Sequence, residues 1–155
     1  MTGPDVLVVD MPTDGTIRHR VAGWLVEEWA HLFPDDTEQW YLETWAQADA
    51  TGPEPPHAVA AVVEGAVVGT ALLVPDDELP GAPEPGPWLA AVWVEQNHRR
   101  RGIGEALVRS IMSLAHGPLW LYTEEGVAWY GSMGWTVVRD AELNGHPVTV
   151  MTWRP

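Results

Sequence analysis

A chain of 155 residues, 46% of them hydrophobic, fits one domain with a core of its own. Acidic residues outnumber basic ones 22 to 8, a formal charge of −14, which argues against nucleic acid or an anionic membrane as the main partner because both need positive surface. Cysteine and lysine are both absent, all 8 basic residues being arginine, so disulfides, thiolate metal sites, a cysteine nucleophile, a Walker-type Gly-Lys loop and a Schiff base are excluded.

Val6–Val9 reads as an opening strand. Thr13 and Asp14 then signal a helix start before a periodic stretch from Thr16 to Phe33, where Ile17, Val21, Trp24, Leu25 and Leu32 share one face. Asp35 and Asp36 open a second helix, Thr37–Asp49, with Trp40, Tyr41, Leu42 and Trp45 as packing residues, and the prolines of Thr51–Pro56 break it. Ala58–Val63 and Ala66–Val74 form a hairpin turned at Glu64 and Gly65. Pro75–Pro87 has no apolar period and reads as an acidic surface loop. Trp88–Val94 suits a buried strand, and Gly102–Ala115 a helix with Ile103, Leu107, Ile111 and Leu114 on one side. Leu119–Thr123 is a strand and Glu125–Met133 a short helix. Thr136–Glu142 and Pro147–Met151 pair around Asn144-Gly145, a tight-hairpin signal. Residues 1–155 therefore make a single mixed α/β domain. With no long apolar run, and no positive flank to Met1–Val9, it is expected to be a soluble cytoplasmic protein.

Arg99, Arg100 and Arg101 carry three of the eight positive charges and stand between a strand and a helix opened by Gly102, Ile103 and Gly104. Unpaired amides at a helix start, the helix dipole and close-approach glycines make a phosphate cradle that needs no lysine. Only two glycines of a dinucleotide fingerprint are present, so that motif is not met.

Trp88–Leu107, centred on Arg99-Arg100-Arg101-Gly102-Ile103-Gly104, resembles the acetyl-CoA motif of the GCN5-related N-acetyltransferases, Arg/Gln-x-x-Gly-x-Gly/Ala. Arg100 stands where many relatives have glycine. Tyr130-Gly131-Ser132-Met133-Gly134-Trp135 is similar to that family's Tyr-x-x-x-Gly-aromatic motif, in the same order and at the same separation. The resemblance implies a mainly antiparallel twisted sheet flanked by helices, with splayed central strands. It implies that the backbone of Val92, Trp93 and Val94 holds the pantetheine arm of acetyl-CoA. Amides around Arg100–Glu105 would bind the pyrophosphate, with Arg99 and Arg101 beside them, and Tyr130 would protonate the departing thiolate. The activity implied is acetyl transfer to a primary amine, direct because no cysteine is available, and a homodimer is one assembly that the family uses.

Ala90 and Ala91 occupy the strand where relatives often carry a glutamate base. Glu28 falls on the apolar face of the first helix between Trp24 and Val21, and is the candidate to accept the amine's proton or to bind the amine as a cation. His31 and His146 are weaker candidates, and Glu124 and Glu125 favour the start of the Tyr130 helix. Ser132 lacks a nucleophile elbow and the six histidines never form His-x-x-x-His, so no helical zinc pair is present. Most of the ten tryptophans are expected in the core, with Trp24, Trp29 and Trp45 as candidates to line a substrate cleft. The negative charge suggests a cationic acceptor, such as a polyamine, an aminoglycoside or a peptide amine. The alternative is an acyl-CoA-binding module that kept the cradle and lost the base.

Overall fold

The computed structural model describes residues 6–155; residues 1–5 of the stretch read above for a signal flank lie outside it. Seven strands form one sheet in the order β1-β2-β3-β4-β5-β7-β6: β1 (Val6–Asp10), β2 (His57–Val63), β3 (Ala66–Val74), β4 (Trp88–Val94), β5 (Leu119–Thr123), β6 (Thr136–Leu143) and β7 (His146–Trp153). Four helices flank it: α1 (Gly15–Trp29), α2 (Glu38–Thr51), α3 (Ile103–Met112) and α4 (Val127–Gly131). Neighbouring strands run antiparallel except β4 and β5, which α3 joins as a parallel crossover. No helix of the described residues is long and apolar enough to cross a membrane.

The two faces of the sheet build two cores. Ala58 and Ala60 of β2 join α1 and α2 through Val21, Leu25, Tyr41 and Trp45, while Val59, Ala61 and Val63 join α3 through Ile103, Leu107 and Ile111. Cover on both faces explains why β2 and β3 read as unbroken apolar runs. Both hairpins turn on two residues with positive φ, Glu64-Gly65 (51° and 81°) and Asn144-Gly145 (48° and 84°), the pair of conformations that matches strand twist.

Asp14 caps α1, its carboxylate accepting from the amides of Thr16 and Ile17. The helix stops at Trp29, four residues before the expected end, because the amides of Leu32 and Phe33 both turn back to the Trp29 carbonyl ahead of Pro34. Arg18 is buried; it donates to both oxygens of Asp49 at 2.8 Å and to the carbonyls of Met11 and Pro12, locking α1 to α2.

The tryptophan expectation is corrected. Trp45, Trp88 and Trp135 are buried, six others pack half-buried against the cores, and Trp129 is exposed.

Candidate active site

The break lies between β4 and β5. The two strands pair only at Trp88 and Trp120 and then part. On β4 the register against β3 slips by one residue after Ala90, and Ala91 takes a φ of +54°. This is a bulge at a non-glycine residue, and it turns the end of β4 away from its neighbour. Beyond it Val92, Trp93 and Val94 line a cavity of about 430 Å³.

The same cavity is lined by Arg99, Arg100, Gly102, Ile103, Gly104 and Glu105. Strand β4 reaches α3 through a single 3-10 turn, Gln96–His98, capped by Glu95, whose carboxylate also meets His98 Nδ1 at 2.6 Å. Arg99 then ties back to β4, its Nε donating to the Val94 carbonyl at 2.8 Å. Arg100 and Gly102 both adopt left-handed backbone, φ 65° and 78°. The turn delivers the chain to the start of α3, whose unpaired amides can meet an anion, and the positive φ accounts for glycine being suited to position 100. Ile103 puts its side chain into the core and Gly104 admits the Trp129 ring, which a Cβ would meet at 3.2 Å. Arg101 is exposed and alone among the ten candidate cofactor residues does not line the cavity.

A second cavity, of about 500 Å³, opens on the other side and shares Glu28, Val92, Trp129 and Tyr130 with the first. Glu28 is exposed rather than buried. The buried stripe of α1, Arg18, Val21, Ala22 and Leu25, reaches position 28 where the helix has run off the core and over the break. Its place on the stripe is as expected and its surroundings are the cleft. Tyr130 sits on α4 with its ring against Trp129 and Trp135. Burial pushes its phenol well up, so it keeps its proton at neutral pH. Of the three tryptophans proposed for the cleft, Trp29 lines it. Trp24 stacks on Trp93 at 4.8 Å, and Trp45 is enclosed in the core.

Six carboxylates, Glu28, Asp36, Asp77, Glu78, Glu124 and Glu125, and no arginine line this second cavity. Burial, reinforced by Glu78, raises the carboxyl of Asp77 far above the usual carboxylate range, and burial raises Asp36 as well. The Pro75–Pro87 loop is therefore a wall of the cleft as well as surface. Tyr122 of β5 donates to the Asp77 carbonyl at 2.9 Å, and Glu84 receives two bonds from Arg139 of β6 at 2.8 and 3.0 Å. The signal available for this wall was the acidic run Asp76-Asp77-Glu78 set between prolines. Glu124 does not merely precede α4: it meets His31 at 2.7 Å across 93 positions of sequence.

The family model described as the acetyltransferase (GNAT) family matches residues 18–135, most of the chain. The chain belongs to the GNAT acetyltransferase family. Solved GNAT structures share its fold. An aminoglycoside 6'-acetyltransferase of type Ii superposes with a TM-score of 0.71 at 19% identity over 96% of each chain. An aminoglycoside 6'-N-acetyltransferase complexed with coenzyme A gives 0.67 at 17% identity over 96% of each chain. A ribosomal-protein-alanine N-acetyltransferase from Brucella melitensis gives 0.68 at 17% identity, over 96% of this chain and 99% of that one. Among curated proteins nothing matches the sequence. The segment that resembles the acetyl-CoA motif forms the β4–α3 turn, and Tyr130 lines both cavities. Among the described residues no group of three or more His, Asp or Glu is placed to hold a metal ion.

Proposed function

We propose that this GNAT protein is an acetyl-CoA-dependent N-acetyltransferase that acts on a cationic primary amine by direct transfer. The observation that carries the reading is the meeting of two unlike cavities at Glu28 and Tyr130, one edged by the start of α3 and two arginines, the other by six carboxylates. Coenzyme A fits the first: the β5-facing edge of Val92–Val94, which β5 does not pair, offers the pantetheine arm a strand partner, and the amides of Arg100–Glu105 offer the pyrophosphate a positive terminus. The second suits an ammonium group, because Asp36 and Asp77 lose their burial penalty when a cation pairs with them. Glu28 binds the reacting amine at the junction, and Tyr130 protonates the thiolate as the carbon–sulfur bond breaks.

The test is a panel of spermidine, kanamycin and an alanyl peptide, scored by thiol release from acetyl-CoA and by the mass of the acetylated product. Tyr130→Phe is expected to lower kcat about 10²-fold while calorimetric affinity for coenzyme A stays unchanged. Undiminished turnover in that variant removes the acid role. Coenzyme A binding without turnover of any amine overturns the enzyme reading in favour of the binding-module alternative, which Ala90 and Ala91 motivate.

A further inference from the structure

We propose that His31, held by Glu124, is the base that takes the proton from the acceptor's ammonium group, an inference that rests on the acetyltransferase reading. His31 lies in the turn that ends α1, where the amides of Leu32 and Phe33 close onto the Trp29 carbonyl and fix the backbone on either side. Glu124 follows the last residue of β5, on the far bank of the cleft. The side chains meet with Nε2 and Oε1 2.7 Å apart, and both line the cavity of about 500 Å³ that Tyr130 also lines. A carboxylate at that distance holds the N–H on Nε2, because a carboxylate only accepts. Nδ1 is left with the free lone pair that can accept a proton. A base oriented by a third group is the arrangement by which side chains with weak positional preference become proton acceptors.

Several titratable groups face this pair. Glu28 comes from α1, Asp36 from the following turn, Asp77 and Glu78 from the loop, and Glu125 from the start of the α4 turn. The sixth is His146 of β7, whose ring meets His31 edge-on at 5.4 Å. The carboxylates hold a cation in place, and an imidazole is by its chemistry a stronger base than an ordinary carboxylate. The side chain of His31 is 49% exposed, which gives its proton an exit to water.

The protons balance. An ammonium R–NH3+ gives one proton to His31 Nδ1, and that proton leaves to solvent. The neutral nitrogen then bonds to the acetyl carbonyl carbon. As the adduct collapses the carbon–sulfur bond breaks, the thiolate takes the proton of Tyr130, and the second proton shed by nitrogen restores the phenol. The products are the amide, the free thiol and one released proton.

The experiment measures kcat and kcat/KM from pH 5.5 to 9.5 for wild type, His31→Gln and Glu124→Gln, using the panel amine with the fastest wild-type turnover. His31→Gln is expected to lower kcat/KM for the amine about 10²-fold at pH 7, to flatten the acidic limb, and to recover as rising pH supplies neutral amine. KM for acetyl-CoA should not move. Glu124→Gln should lower the rate about tenfold and displace the acidic limb, and nitrogen NMR of the imidazole should show the Nε2–H form in wild type and its loss in this variant. A loss of rate at all pH values alike, or a wild-type profile in His31→Gln, overturns the proposal and leaves the acetyltransferase reading standing. An inactive wild type that binds coenzyme A overturns both.

Discussion

Gly126 decides where Tyr130 can stand. A Cβ at position 126 would lie 2.8 Å from Thr123 Oγ1 and 3.0 Å from the Tyr130 ring. The Thr123 hydroxyl cannot yield freely, because it accepts the Gly126 amide at 2.9 Å. Gly126→Ala therefore displaces the phenol from the seam between the two cavities. The expected outcome is a fall in kcat of tenfold to about 10²-fold, with a stability loss of about 1–3 kcal/mol and coenzyme A affinity retained. Steady-state kinetics, thermal melts and calorimetry check the three parts. This residue carried no signal in the sequence, where it was one more glycine before a helix; its role depends on a ring four positions later that only helix geometry brings back over it.

At the scale of elements, the turn from β4 to α3 works through its backbone. Gly102 has open space around its α-carbon, so Gly102→Ala costs only the left-handed conformation, about 1–2 kcal/mol, and should weaken coenzyme A binding about tenfold. Arg100→Gly keeps a φ of +65° accessible and should change affinity by no more than about fivefold, as expected for an exposed charge. Calorimetry with coenzyme A tests both, and the reverse order of effects would show that guanidinium groups, not amides, bind the phosphates. This turn was legible because arginines and glycines at that spacing have a local meaning. So were the ends of β4 and β5 (Trp88–Val94, Leu119–Thr123), apolar runs bounded by Pro87 and Pro118. The bulge at Ala91 was not legible, since alanine has no preference for positive φ and the distortion is imposed by how β4 pairs with β3. Nor was the environment of Glu28, because a helical projection gives direction but not whether core or cleft lies there. The His31–Glu124 contact joins elements with no sequence relation at all.

Across the whole molecule two pairs of carboxylates stand in opposed states. Asp49 and Glu84 are held below the ordinary range by their bonds from Arg18 and Arg139. Their stabilisation is present at neutral pH and is lost as acid carries pH down through those depressed values. Asp36 and Asp77 are raised by burial; the folded state holds their protons more tightly, so stability rises as pH falls through their raised values toward the unfolded ones near about 4. The melting temperature should therefore climb from pH 8 to a maximum in mild acid, and drop below about pH 4. Asp77→Asn should raise it at pH 8, remove much of the climb, and raise KM for the cationic amine. Melts followed by circular dichroism from pH 3 to 8 check this, and a steady decline from pH 8 downward would contradict it. The meeting of β4 and β5 at one residue pair makes the sheet two leaves, four strands and three, hinged at Trp88 and Trp120. A linear molecule laid along Val92–Val94 would act as mortar between those leaves, so that filling the wedge would stiffen strands far from any atom it touches.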